Sequence, residues 1–398
     1  MKKIKFLAIY FMAAIVSFGL AACSSDDDEE VGTNDNPALS ASDSKKELEA
    51  TAKELMGKVS ADDFQNIADM TANLDDNDDD VVSEWFDDCV EACKLSSSTD
   101  DNLKYLYAAS NFTGKFELTN GRWKKTGTAD YLQFTFDDKN GKTCVLKAET
   151  SGKLTTVHHD SFDEEDWDYE YVNGHWRDYE TLTENSFVIP EKVHVTLTQG
   201  GSTVADVTVN TSVSISSGDF DYTRDNAQVT VTAKINDYNL NVSKVAFNAG
   251  TSASAAATLS KGGETLIECS ANATGQLYSE ESEKDPVGKT GAFEVKVLGN
   301  QVYIVGNISN ISDFAENLDN ADEYDEEESS FKRNIENANA LIDINVYFDG
   351  SKNSTAKVEL YPVSEKYYNY EYWDYEPCVV FGDGTKYSFE EYFDENTY

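Results

Sequence analysis

"VHVTLTQGGSTVADVTVN", residues 193–210, decides the fold class. Val193, Val195 and Leu197 alternate with His194, Thr196 and Thr198, and beyond Gly200-Gly201 the apolar Ala205, Val207 and Val209 alternate with Asp206 and Thr208. A period of two puts one residue set on each face of an extended strand. Two adjacent glycines supply the positive φ angles that a two-residue hairpin turn demands. The stretch therefore reads as an antiparallel hairpin with one buried face and one wet face.

The same pattern continues outward. Val229, Val231, Ala233 and Ile235 form one inward set, and Phe293, Val295 and Val297 another. Val242 is followed, one residue out of phase, by Val245 and Phe247. Asn140-Gly141, Gly262-Gly263 and Asp383-Gly384 mark further hairpins. The residues alternating with the apolar sets are Thr, Ser, Asn, Lys and Asp, which excludes a lipid-facing barrel. "FTFDDKNGKTCVL" at 134–146 and "VYFDGSKNSTAKVEL" at 346–360 share an aromatic strand end, an Asp and a Lys-Asn turn, a likeness that a decayed internal duplication or the chance similarity of two hairpins would each produce.

Helical spacing precedes the strands. Ser44 with Glu47 forms a capping-box pattern ahead of Leu48, Ala52 and Leu55, and Ser60 with Asp63 repeats it ahead of Phe64 and Ile67. Two more helices are expected, one after Asp80 and one near Ser98. Phe331, Ile335, Ala338 and Leu341 predict a helix within an acidic insertion. The expected class is α+β, with short N-terminal helices packed on a large antiparallel, mostly meandering β-sheet or half-barrel. The expected divisions are a leader at 1–22, a tether at 23–40, helices at 41–112, a β region at 113–308, the insertion at 309–340 and C-terminal hairpins at 341–398, with 113–398 one continuous β domain.

The first 40 residues concern address. Lys2, Lys3 and Lys5 precede an uncharged, mostly apolar run from Phe6 to Leu20, the layout of a secretory signal peptide and too short for a membrane span. Leu20-Ala21-Ala22-Cys23 resembles the lipobox of bacterial lipoproteins, and the resemblance implies cleavage before Cys23 and acylation of that residue. Ser24, Ser25, Asp26, Asp27, Asp28, Glu29 and Glu30 follow, and this run is similar to the acidic tag of surface-exported lipoproteins of the Bacteroidota. The resemblance implies anchorage in outer-membrane lipid, facing the cell exterior. Ser24 to Ser40 is a polar tether with a reach of roughly 20 to 25 Å.

With 74 acidic against 32 basic residues, the formal net charge is −42, so nucleic acid is excluded as a partner. Cys89 and Cys93 lie on a helical apolar stripe with Val82, Trp85, Phe86 and Val90. Cys144 alternates with Leu146 and Ala148, and Cys269 with Ile267, Ala271 and Ala273. With Cys378, these read as core thiols rather than disulfides or metal ligands.

No G-x-S-x-G, H-E-x-x-H or dinucleotide-binding glycine pattern occurs, and no catalytic residue, cofactor or metal is expected. Gly288-Lys289-Thr290 resembles the end of a phosphate loop, but Glu283 stands where its first glycine belongs. His158 and His159 point to opposite faces of a strand and cannot share one ion. The run Asp75–Asp80 fails as a calcium loop, with Asp80 at the required glycine and Phe86 at the bidentate glutamate.

The most informative cluster is "DWDYEYVNGHWRDYE", residues 166–180. A turn at Asn173-Gly174 pairs Tyr171 with Trp176, which gathers Trp167, Tyr169, Tyr171 and Trp176 on one face. "KYYNYEYWDYE" at 366–376 adds Tyr370, Tyr372 and Trp373. Rings beside carboxylates suit a sugar, whose C–H face stacks on the ring while its hydroxyls bond the acids, and the same rings could equally pack against the sheet. The expected function is a non-catalytic surface binding or adhesion module whose partner is a glycan or a neighbouring surface complex. A carrier of lipid is the second reading, with room left by the small residues of "TSASAAATLS" at 251–260. Glycoside hydrolysis by paired carboxylates is the third.

Overall fold

The computed structural model describes residues 39–71, 113–119, 122–162, 168–172, 175–179, 182–216, 224–276, 287–322, 328–349, 354, 356–367 and 370–388. Strand dominates, a few helices accompany it, and the pairing is mostly antiparallel and open. The helices expected after Asp80 and near Ser98, with Cys89 and Cys93, lie outside the described residues, as do the run Asp75–Asp80 and Glu283.

Helix α1 spans Ala41–Lys58 and begins one turn before the expected Ser44 cap. Ser40 is the N-cap, its hydroxyl accepting from the Asp43 N–H at 3.2 Å and donating to the Asp43 carboxylate at 2.7 Å. Ser44 is instead fully buried within the helix, along with Thr51, Ala52 and Leu55. Two overlapping S-x-x-acid patterns compete here, and the earlier one wins because it frees the Ser44 position for packing. The second box holds as expected. The Ser60 N–H donates to the Asp63 carboxylate at 3.1 Å, ahead of a 3-10 turn at Ala61–Phe64 and helix α2 at Gln65–Thr71.

The chain forms two compact units, one of residues Phe64–Asn236 and one of the residues up to Asp63 together with Asp237–Tyr398. In the first, β1 (Gly114–Thr119), β2 (Arg122–Gly127), β3 (Leu132–Asp137) and β4 (Thr143–Phe162) lead into a separate ribbon, β5 (Asp168–Val172) and β6 (His175–Tyr179). Then come β7 (Leu182–Gln199), β8 (Ser202–Ser214) and β9 (Asn226–Ile235). The strand order is β9-β8-β7-β4-β3-β1-β2. One feature departs from a simple meander: β1 runs parallel to β3, leaving β2 as the outer strand. The Gly200-Gly201 turn forms as read, with φ of 57° and 83° between the paired Gln199 and Ser202. Met70 of α2 covers the inner face over Phe136, Cys144 and Val204, with Trp123 set edge-on to Phe134 at 5.0 Å.

In the second unit, β10 (Tyr238–Asn248), β11 (Ser252–Lys261), β12 (Glu264–Gln276), β13 (Val287–Val297) and β14 (Val302–Ile308) run in sequence order. The acidic insertion forms two helices rather than one, α3 (Ile311–Asp322) and α4 (Glu328–Asn339). Strands β15 (Ile342–Phe348), β16 (Ala356–Tyr367), β17 (Tyr370–Phe381) and β18 (Lys386–Ser388) complete the run. The phase shift after Val242 is a bulge between Val242 and Lys244, an extra residue that returns Val245 and Phe247 to the Val242 face. Phe293, Val302, Ile308, Val346, Phe348 and Phe331 are nearly solvent-free, each worth roughly 1.5 to 3 kcal/mol of burial. Gly288-Lys289-Thr290 lies within strand β13, not at a helix N-terminus.

Candidate functional site

The hairpin read from residues 166–180 has the expected register. Val172 pairs with His175, Tyr171 with Trp176, Glu170 with Arg177 and Tyr169 with Asp178. Alternation along a strand then gives positions 169, 171, 176 and 178 one face of the ribbon, three aromatic residues and one acid. Trp167 lies outside the described residues, as do Cys23 and the acidic run Ser24, Ser25, Asp26, Asp27, Asp28, Glu29 and Glu30.

The second aromatic group is divided by the backbone. Tyr370 and Tyr372 occupy alternate positions of β17, on the face opposite Trp373. Trp373 is half-buried beside α4, its ring 6.1 Å from that of Phe331 and 4.4 Å from the Lys332 ammonium. The indole is thus a packing partner of that helix.

The charged clusters with shifted acidity hold local structure together. At the C-terminal end of α1, the Lys58 carbonyl accepts from the Lys261 ammonium at 2.7 Å and from the Tyr238 hydroxyl at 3.3 Å, an orphan helix carbonyl satisfied by side chains. Both donors also reach Asp63, at 2.5 and 2.6 Å. The Lys261 contact, then the Tyr238 hydroxyl, hold the Asp63 carboxyl below its ordinary range, while burial and the Asp63 bond push the Tyr238 phenol up. Asp138, 2% exposed, accepts from the Asn140 and Lys142 amides at 2.8 Å each and from Gln199 at 2.7 Å, closing the β3–β4 turn. These amides, the Lys142 N–H foremost, hold its carboxyl low.

The three described cysteines, Cys144, Cys269 and Cys378, are free thiols, the first and last buried and Cys269 half-buried. Burial pushes the Cys144 and Cys269 thiols up, which suppresses the nucleophilic thiolate. His194 meets Asp206 at 3.1 Å on the wet face of the β7–β8 hairpin. Among the described residues no group of three His, Cys, Asp or Glu could hold a metal ion, and no helix is long and apolar enough to cross a membrane.

Sequence reasoning missed one concavity. An open groove of about 450 Å³ lies between β7 and β8 in the Phe64–Asn236 unit, lined by hydroxyl-, amide- and charge-bearing residues of four strands whose stems also expose apolar surface. No local pattern could have disclosed it, because its lining residues span positions 151 to 230 and meet only through pairing. Set against protein-family models, curated proteins and solved structures, the chain matches none.

Proposed function

We propose that this protein is a non-catalytic, carbohydrate-binding module held at the outer face of the outer membrane by acylated Cys23. The reading of address rests on the leader, the box Leu20-Ala21-Ala22-Cys23 and the acids from Asp26 to Glu30. The observation that carries the reading of function is the β5–β6 register, which brings positions 169, 171 and 176 to one face beside the acid at 178. Aromatic rings flanked by carboxylates suit sugars, offering a flat apolar surface and hydroxyl acceptors together. The described inner faces favour this over a lipid carrier, since side chains such as Phe293, Phe331 and Met70 fill them.

The test has two arms. Replacing Trp167 and Trp176 with Ala should abolish retention on a printed glycan array while leaving the thermal melt unchanged. A large drop in melting temperature with retention intact would make the rings core residues. In the second arm, Cys23→Ala should move the protein from the membrane fraction to the soluble one, because acyl chains are its strong attachment. A mutant that still pellets with membranes in high salt would remove the lipoprotein reading.

A further inference from the structure

Two strand pairs of this protein part company, and the two forks are finished differently. In the second unit, among the described residues, β15 pairs with β16 only at Asn345 with Lys357 and Val346 with Ala356. The Asn339 side chain, at the end of α4, fills the gap beyond. Its oxygen accepts from the Leu360 N–H and its nitrogen donates to the Leu360 carbonyl, each at 2.8 Å. One amide thus replaces a missing strand.

The fork in the first unit is spanned differently. Strand β7 pairs with β8 from Gln199 to Lys192 and then continues with β4 alone, while β8 continues with β9 as far as Ser214. The parting begins at a bulge where Gly152 and Lys153 oppose the single residue Glu191. Gly152 is held at φ +83°, and a Cβ there would lie within 3.0 Å of the Glu191 side chain, so only glycine lets that carboxylate lie across the strand. The Lys153 N–H fixes it at 2.8 Å. Across the mouth, the buried Thr211 hydroxyl donates to the Pro190 carbonyl at 2.5 Å. The groove lies beside these two contacts, with Gly152, Glu191 and Thr211 in its lining.

We infer that this groove is a binding site for a short neutral oligosaccharide, distinct from the aromatic hairpin. Ser151, Lys192, Asn210 and Thr230 are successive cross-strand neighbours, a polar row roughly 14 Å across at the usual strand spacing. Ser212 and Gln228, paired on the same face, extend it by one step. Hydroxyls and amides both donate and accept, which matches the alternating demands of sugar hydroxyls. The adjacent Glu191 and Lys192 balance each other's charge, so the lining does not favour an acidic sugar. The volume lies within the range of small-ligand sites. A peptide strand is disfavoured because Pro190, at the mouth, has no N–H to offer a ladder.

The experiment uses the detergent-solubilised full chain on a printed panel of neutral and uronic-acid oligosaccharides with extended peptides alongside. A neutral oligosaccharide should be retained. Asn210→Ala with Gln228→Ala should weaken it at least tenfold, and Thr230→Trp, which fills the groove from a strand position tolerant of aromatics, should block it. Melting temperatures of these variants should match the parent. The Trp167 and Trp176 variants separate the two sites: retention that they abolish and the groove variants spare belongs to the hairpin and overturns this inference alone. Retention of peptides, or no retention of any neutral sugar, overturns it as well.

Discussion

Gly306 shows how closely single residues are fitted. It pairs directly with Phe293, and an added Cβ would sit 2.3 and 2.5 Å from two atoms of that ring and 3.0 Å from Ile344. The phenylalanine lies over the bare backbone, and the residue is glycine for space, not for its φ. Gly306→Ala should therefore destabilise by about 1 to 3 kcal/mol, the usual cost of overpacking, read as a lower urea midpoint with unchanged slope. An unaltered midpoint would mean that the ring can move aside freely. The thiols give a second prediction at this scale. Cys144 is 0% and Cys378 2% exposed, so neither should react with an alkylating reagent in native buffer, and both should react in urea. Rapid native labelling of Cys144 would contradict the packing under α2.

At the scale of elements, the Asn339 plug is the feature whose removal is easiest to read. Asn339→Ala deprives Leu360 of partners for both backbone groups, and leaving such groups unmet costs about 1 to 3 kcal/mol where water cannot reach them. The Leu360 amide should exchange with solvent markedly faster in this variant, while amides of β12 and β13 keep their protection. Equal exchange in variant and parent would deny the amide its role. Much at this scale was legible beforehand. Gly200-Gly201 and Gly262-Gly263 are turns because their φ angles demand it, and the break in phase after Val242 foretold a bulge. The ribbon register followed from two turn residues. What was not legible depends on distant partners. Nothing near Gly114 announces that β1 will lie parallel to β3, and nothing near Asn210 says that β7 will leave it. The Ser44 cap was misread because Ser40 offered the same pattern four residues earlier. In the candidate site, periodicity gave the hairpin positions, whereas the groove arises where pairing stops.

Over the whole molecule, charge sets the conditions of stability. A formal charge of −42 means that folding gathers like charges and works against their repulsion. Salt screens that repulsion, so the melting temperature should rise between low salt and about 0.5 M, opposite to a protein held by surface ion pairs. Lowering the pH acts in two stages. Between pH 7 and about 5, protonation of a fraction of the many acids relieves repulsion and should stabilise. Below that, the paired aspartates dominate. Asp383 is held at about 2 by the Thr385 hydroxyl and Lys45, and Asp63, Asp69 and Asp138 also lie below the ordinary 3.8. A carboxyl lowered on folding contributes stability that is fully present above its unfolded value and is lost as pH falls through the folded one. These contributions should therefore fade from about pH 4 downward, leaving maximum stability near pH 5 in low salt. Melts from pH 3 to 8 at two ionic strengths check both stages. A monotonic fall in melting temperature from pH 7 to 4 in low salt would show that the acids are already neutralised by partners, and would remove repulsion as the governing term.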